Sequence, residues 1–272
     1  MLKTRIITAV VLLAVLLAVV LSTSPELFLL TMAVFFAAAL WEMMRLFGGK
    51  HALVGAGLWT ALFLFLMLNA RFVNQKVFFG ICVALWVIRF APSLKLGLPA
   101  LGGFANRLLS LVYGIGILGC FLAIAVLYSW SPLYLLSVMA LVWIADIGAY
   151  FSGKAFGKHK LAPSISPGKT WEGALGGCLA VVVLASGSVF IPALADTFAV
   201  HVQTSWGWAG LVGVMIVFVG ASIVGDLFES QLKRRADMKD SSKLLPGHGG
   251  VLDRIDALLP TLPLAVLIGY WL

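Results

Sequence analysis

The chain has 272 residues, of which 62% are hydrophobic and only 11% carry a charge, and its formal net charge at pH 7 is +8. Soluble domains are about half apolar and about a quarter charged, so a soluble fold could not bury this much apolar surface. The composition excludes a soluble globular protein and predicts an all-α, polytopic integral membrane protein.

Apolar runs follow one another along the whole chain. Nine of them are long enough, or nearly so, to cross about 30 Å of hydrocarbon as helices. They cover residues 6–21, 27–44, 52–68, 77–91, 108–127, 133–150, 174–194, 208–228 and 255–271. No small-residue cleavage site follows the first run, so we interpret it as a retained span rather than a signal peptide. We predict one membrane-embedded domain, residues 1–272, with N-terminal spans at about 1–127 and a second part at about 133–272.

Lysine and arginine are distributed unevenly between the predicted links. If the N-terminus is cytoplasmic, 17 of the 19 lie on the cytoplasmic side, and only Arg71 and Lys76 lie outside. Cytoplasmic links carry the excess of Lys and Arg, so the count favours this orientation and nine spans. The net positive charge is therefore explained by the orientation of the chain in the membrane. For this reason we do not interpret it as a sign of nucleic-acid binding, and we expect no nucleic-acid partner. The two long polar links, 151–173 and 229–254, would both face the cytoplasm.

A cluster of charged residues of both signs lies between residues 225 and 256. At about 100° per residue, one helix face would hold five polar side chains: Asp226, Glu229, Ser230, Lys233 and Arg234. The following loop and the start of the last apolar run add Lys239, His248, Gly249, Gly250, Asp253, Arg254 and Asp256. Carboxylates that face each other across a short loop indicate a divalent metal ion, and cations with glycines indicate phosphate.

A second polar group surrounds the link after the sixth apolar run. Four residues share one helix face there: Asp146, Ala149, Tyr150 and Gly153. A carboxylate inside an apolar span needs a partner, so Asp146 is either functional or hydrogen-bonded to another helix. Ser166 is predicted to cap the seventh helix, with Pro167 at its first position, which would place an anion site beside Lys169.

Glu42 is the weakest functional candidate among the acidic residues. Arg45 follows it by three residues, which is the spacing of neighbours on a helix surface. We therefore interpret Glu42 as one half of a local ion pair with Arg45.

Both polar groups contain sequence blocks with fixed spacing. The first block is Asp146-x-x-Ala-Tyr150 followed by Ser166-Pro-x-Lys-Thr-x-Glu-Gly173. The second is Ser230-x-Leu-Lys-Arg, Lys239-Asp, and Leu245-Pro-x-His-Gly-Gly-Val-x-Asp-Arg-Ile-Asp256. The two blocks, in this order, resemble the phosphatidate cytidylyltransferase (CDP-diacylglycerol synthase) family, whose multi-span architecture would cover the whole chain. The resemblance makes residues 133–272 the catalytic part.

The resemblance implies the reaction CTP + phosphatidate → CDP-diacylglycerol + pyrophosphate. The Lys/Arg bias and the absence of a transit peptide favour a bacterial inner membrane, with the active site on its cytoplasmic face. An anionic lipid phosphate must attack an anionic nucleotide, so we expect Mg²⁺, as one ion or a pair. Asp226 and Asp253 are the first-choice ligands for one ion, and Asp146 or Asp256 would complete the site. The expected partners are CTP, phosphatidate and membrane lipids, and a homodimer is compatible with the sequence.

The remaining candidates would hold phosphate groups. We assign catalytic roles to Asp226, Lys233, Arg234 and Asp253, with His248 as a phosphate hydrogen-bond donor or a turn-stabilising residue. The expected substrate-binding residues are Lys169, Ser166, Ser230, Lys239, Gly249, Gly250, Arg254 and Tyr150.

Two other functions remain open. A polyprenol or lipid kinase of related architecture would share the glycine-rich cytoplasmic loop. A cation-coupled transporter would also place carboxylates in helices, but near mid-membrane and on both access sides. The Asp-Gly-x₂-Ala-Arg block of CDP-alcohol phosphotransferases is absent from this sequence.

Overall fold

The computed structural model describes residues 2–22, 24–69 and 74–272, with side chains from residue 6 onward. The N-terminal part contains α1 (Leu2–Leu21), α2 (Pro25–Leu46), α3 (Ala52–Leu68), α4 (Gln75–Leu85), a π-helical turn (Trp86–Phe90), α5 (Ala91–Leu96) and α6 (Phe104–Trp130). The rest contains α7 (Pro132–Phe156), β1 (Lys160–Ala162), β2 (Ser166–Thr170), α8 (Trp171–Ser188), a 3₁₀ turn (Pro192–Leu194), α9 (Phe198–Arg235), α10 (Leu252–Ile255) and α11 (Leu258–Gly269).

The predicted all-α membrane class is confirmed. Within the described ranges, six helical segments are long and apolar enough to cross a membrane, namely α2, α4 with its continuation to Leu96, α6, α7, α8 and α9. Three shorter apolar helices, Ile6–Leu21, Ala52–Leu68 and Leu258–Gly269, coincide with the other predicted runs. The count of nine spans stays a prediction. Arg71, one of the two cations predicted outside, lies outside the described residues.

Polar side chains in the loops determine where several helices begin. Ser24, Asn74 and Ser131 each accept a hydrogen bond from a backbone amide in the first turn of the helix that follows. These bonds satisfy amides that have no partner inside the helix. Within α9, Gly207 has a φ of 68°, so the helix is broken there and a straight segment begins at residue 208, as the apolar pattern predicts.

The predicted helix cap at Ser166 is wrong. Ser166 begins β2, which pairs with β1 in an antiparallel hairpin through Ala162 opposite Ser166 and Lys160 opposite Thr170. The cap of α8 is Thr170, whose hydroxyl accepts from the Gly173 amide at 3.1 Å. The local Ser-Pro signal was overridden by the hairpin, which needs these residues extended. Helix α8 therefore begins four residues later than the capping pattern suggests.

Helices α7 and α8 are in direct backbone contact. A Cβ atom added to Gly177 would lie 2.5 Å from the Ala145 carbonyl oxygen, and one added to Gly173 would lie 2.9 Å from the Ala149 carbonyl oxygen. Small residues allow membrane helices to approach this closely. These glycines therefore fix the distance between the two helices.

Aromatic packing joins the N-terminal helices to α9. The rings of Trp86, Phe90 and Tyr113 lie 4.7–5.9 Å, centroid to centroid, from the ring of Phe228 in α9. All four side chains are buried. The two parts of the chain thus share a hydrophobic core next to the polar residues of α9.

Candidate active site

A cavity of about 470 Å³ lies between α7, β2, α8 and α9. Its charged and hydroxyl-bearing lining comes from separate elements: Asp146, Tyr150, Lys154, Ser166, Lys169, Thr170, Ser222 and Asp226. The remaining wall is made of small and apolar residues, among them Ala145, Ala149, Val219 and Ile223. The cavity therefore combines a charged region with apolar walls, which suits a ligand that has both a charged and a lipid part.

An ion pair crosses this cavity. Lys169 Nζ, from β2, lies 2.7 Å from Asp226 Oδ2, from α9, and the two side chains are 26% and 29% exposed. Asp226 Oδ1 also accepts a hydrogen bond from the Ser230 hydroxyl at 3.3 Å. Partly exposed ion pairs contribute at most about 1 kcal/mol, so a charged ligand can replace either partner at small cost. The sequence had assigned both Lys169 and Asp226 to the site, and the structure brings them together.

Two further carboxylates lie within electrostatic reach of Asp226. Asp146 lines the cavity and interacts with Asp226, Lys169 and Arg254. Asp256 lies between α10 and α11, and its carboxylate interacts electrostatically with that of Asp226. Helix α7, helix α9 and the junction between α10 and α11 thus each contribute one carboxylate to the region around Asp226.

Asp253 is bound by the protein itself. Its Oδ1 accepts from Lys233 Nζ at 2.5 Å, and its Oδ2 accepts from the Ser241 amide, the Ser241 hydroxyl and the Gly250 amide, each at 2.8 Å. Lys233 also pairs with Glu229, which is completely buried, and is itself only 13% exposed. Desolvation would raise the pKa of Asp253, but these donors lower it below the ordinary value. Asp253 and Lys233 therefore form part of a buried network with Glu229.

The loop glycines lie against carboxylates. Gly249 has a φ of 82°, and a Cβ atom there would lie 2.6 Å from Asp253 Oδ2. A Cβ atom on Gly250 would lie 2.1 Å from Ser241 Oγ and 2.3 Å from Glu42 Oε1. Glycine is required at both positions because no side chain fits there. Their contact with phosphate stays a prediction.

The predicted ion pair between Glu42 and Arg45 is wrong. Glu42 has no exposed surface, whereas the guanidinium of Arg45 lies 4.7 Å from the centre of the Trp41 ring. The Glu42 carboxylate is within hydrogen-bond distance of four donors from the loop after α9: Ser241 Oγ at 3.1 Å, Ser242 Oγ at 2.5 Å, Val251 N at 3.0 Å and Leu252 N at 2.7 Å. Spacing along α2 could not reveal partners that lie about 200 residues away in the sequence.

Other predicted residues lie around the cluster. Arg234 is exposed, with its Nε 3.5 Å from the carbonyl oxygen of Ile165. Lys239 and Arg254 are exposed, and His248 lies in the loop, where its backbone amide donates to the Leu245 carbonyl. Their roles toward phosphate stay predictions.

Sequence reasoning also missed Lys154. It lines the cavity one turn after Tyr150, and its Nζ lies 5.9 Å from the centre of the Tyr150 ring. The i, i+4 spacing from an aromatic residue on the face that carries Asp146 could have indicated it. Lys154 adds a second cation to the cavity beside Lys169.

The fold and this cavity define a polytopic membrane protein with a polar site lined by carboxylates and lysines. The chain belongs to the cytidylyltransferase family, whose family model matches residues 3–272. It is 36% identical to the phosphatidate cytidylyltransferase of Haemophilus influenzae, over 97% of this chain and 96% of that protein. It is 41% identical to the phosphatidate cytidylyltransferase of Pseudomonas aeruginosa, over 97% of this chain and 95% of that protein. The family resemblance found in the sequence is confirmed.

Proposed function

We propose that the protein is a phosphatidate cytidylyltransferase, an enzyme that converts CTP and phosphatidate to CDP-diacylglycerol and pyrophosphate. The observation that carries the proposal is the cavity in which Asp146, Lys169 and Asp226 meet beside apolar walls. Similarity to two relatives of that name over nearly their whole length supports it. It favours this activity over the kinase and the transporter that the sequence left open.

The main task of such a site is to neutralise charge. A phosphate oxygen of phosphatidate forms a bond to the α-phosphorus of CTP, and the bond from that phosphorus to the departing pyrophosphate breaks. Phosphatidate is ionised at neutral pH, so no general base is needed. Lys169 and Lys154 are placed to bind phosphate oxygens, and Lys169 would leave Asp226 to do so. Positioning of the two substrates and electrostatic stabilisation then provide most of the rate.

The oxygen donors of the cavity fit Mg²⁺ brought in with the nucleotide. Within the part of the chain that the structure describes, no group of three or more Asp, Glu, His or Cys side chains could hold a metal ion. Mg²⁺ is commonly bound by one or two carboxylates together with substrate phosphates and water. Asp226 and Asp146 line the cavity and would supply these carboxylates, with Asp256 nearby, and bound Mg²⁺ would neutralise phosphate charge. The four donors on Asp253 favour Asp146 as the second ligand.

We further infer a bacterial inner membrane location with the cavity facing the cytoplasm. The distribution of lysine and arginine supports this orientation, because the predicted nine-span topology puts 17 of the 19 on one side of the membrane. The relatives with nearly full-length similarity are bacterial proteins. CTP is available in that compartment, and phosphatidate would enter the cavity from the bilayer.

The test is an assay of detergent-purified protein with CTP, phosphatidate and Mg²⁺, with CDP-diacylglycerol as the measured product. Replacing Lys169 by methionine should lower turnover at limiting CTP by about tenfold or more, because a charged contact to phosphate is lost. The matched control is Lys158→Met, since the Lys158 side chain is exposed and does not line the cavity. Absence of CDP-diacylglycerol with the wild type would refute the activity. Wild-type turnover in Lys169→Met would refute the phosphate site.

A further inference from the structure

Glu42 is a buried carboxylate that the proposed reaction does not use directly. It lies in α2 and does not line the cavity, yet its two oxygens are surrounded by the four donors from residues 241–252. A carboxylate is costly to bury unless it is satisfied. The Ser242 hydroxyl and the Val251 and Leu252 amides donate to Glu42, and the single proton of the Ser241 hydroxyl is shared between Glu42 and Asp253. A charged acceptor in the N-terminal half thus holds a loop of the catalytic half.

The donors come from two places in the segment between α9 and α10. Ser241 and Ser242 lie in its first half, and Val251 and Leu252 are the residues at the start of α10. Helix α10 has only four residues, and no side chain of its own caps its first amides. Glu42 therefore performs, from another helix, the task that an N-cap residue performs locally. Glu42 therefore helps to fix the start of α10, together with Asp253, which holds the same helix to Lys233 of α9 and to the loop.

Helix α10 carries Arg254 and is followed directly by Asp256, two charged residues that do not line the cavity but interact with its carboxylates. Arg254 interacts electrostatically with Asp146, and Asp256 interacts with Asp226. The backbone at Asp256 is packed tightly against α9, since a Cβ atom on Gly225 would lie 2.3 Å from the Asp256 carbonyl oxygen. A shift of α10 would therefore move Arg254 and Asp256 relative to the cavity carboxylates.

We propose that Glu42 is a positioning residue, which fixes the loop 241–252 and the register of α10 and so aligns Arg254 and Asp256 with the cavity. The proposal rests on the proposed function, because the alignment matters for turnover only if the cavity is the active site. It predicts that Glu42 acts on the chemical step through α10, without contact with either substrate.

The first experiment compares kcat and KM for CTP in three variants. Glu42→Gln keeps the size of the side chain, but its NH₂ group must face at least one donor. It should lower kcat by about tenfold or more with a small change in KM, as expected for a group that acts only in the transition state. Glu42→Asp keeps the charge and should recover part of the lost kcat. Glu26→Gln, an exposed carboxylate on the same helix, should be close to wild type.

The second experiment measures the loop without reference to activity. Limited trypsin digestion of the detergent-purified full chain should cut faster after Lys243, an exposed residue in the loop, in Glu42→Gln than in wild type. Cutting after Lys158, in the link before β1, should be unchanged, because that link does not contact Glu42.

The outcomes separate the hypotheses. Wild-type kcat, or wild-type cutting after Lys243, in Glu42→Gln overturns the positioning role. Faster cutting at both lysines with loss of folded protein shows a general structural role and also overturns it. If the wild type makes no CDP-diacylglycerol, the proposed function fails, while the digestion still reports whether Glu42 holds the loop.

Discussion

Replacing Asp253 by asparagine is expected to destabilise the folded protein. Both carboxylate oxygens accept hydrogen bonds, one from Lys233 and the other from the Ser241 amide and hydroxyl and the Gly250 amide. Asparagine has one acceptor oxygen and one NH₂ group. Whichever way its amide is turned, the NH₂ group meets a donor, either the Lys233 ammonium or the donors of the loop.

The size of the effect follows from burial. Hydrogen bonds to charged groups contribute about 1.5–3 kcal/mol each, and removing one partner of a buried ion pair costs about 3–5 kcal/mol. Lys233 keeps Glu229 as a partner, which limits the loss, so we expect the free energy of unfolding to fall by about 2–4 kcal/mol. For a domain of about this size, that corresponds to a fall in Tm of about 5–15 °C.

Asp226→Asn is the matched comparison. The Asp226 side chain is 29% exposed, and its ion pair with Lys169 is partly solvated, so the stability loss should stay below about 1 kcal/mol. Its cost should appear in the rate, as a loss of about 10²-fold or roughly 3 kcal/mol of transition-state stabilisation. The two aspartates should therefore differ in which quantity they change.

The assay is thermal unfolding in detergent, followed by the fluorescence of the nine tryptophans. It should be repeated at lower pH. Although desolvation raises the pKa of Asp253, its bonds with Lys233, Gly250 and Ser241 lower it overall, so the carboxylate stabilises the folded protein above about pH 4. That stabilisation is lost as the pH falls through the lowered pKa, and Asp253→Asn should lack this part of the acid dependence.

Two results would refute this reasoning. One is an Asp253→Asn protein that unfolds at the wild-type temperature. The other is an Asp226→Asn protein that is the less stable of the two variants.

Two further predictions concern orientation and packing. In a variant without the native cysteines, Ser164→Cys and Lys243→Cys, both at exposed positions, should react with an impermeant thiol reagent only from the cytoplasmic side, and Asp196→Cys only from outside; the reverse pattern would contradict the orientation. Gly250→Ala should lower the free energy of unfolding by about 1–3 kcal/mol, measured by thermal unfolding, because its Cβ atom overlaps buried polar atoms. Gly213→Ala, with no atom within 4 Å of its added Cβ atom, is the control, and equal stability of the two would contradict the packing argument.

Much of the fold could be predicted because apolar runs in membranes form helices. Every predicted run coincides with a helical segment of the described residues, and the segment of α9 after Gly207 begins where the run at 208–228 begins. The start of α8 could not be predicted from Ser166 and Pro167. Their local preference for a helix start competes with strand pairing to residues 160–162, which depends on chain geometry rather than on neighbouring residues.

In the candidate site, too, some residues could be predicted from the sequence and some contacts could not. Asp146, Lys169 and Asp226 stood out because charges are costly near apolar spans, and the structure places all three at one cavity. The partners of Asp253 and Glu42 could not be predicted. Each carboxylate collects donors from a loop whose path is irregular, and in the case of Glu42 those donors lie 199–210 residues away along the chain.

The backbone contact between α7 and α8 has a mechanical consequence. Where Gly173 and Gly177 touch the carbonyl groups of the facing helix, sliding would produce overlap and separation would leave an empty gap, so the two helices move as one rigid body. Asp146 belongs to this body, whereas Asp226 belongs to α9. A change in the width of the cavity would therefore come from a shift of α9 or of the β1–β2 hairpin, and either motion would break the ion pair between Lys169 of β2 and Asp226 of α9.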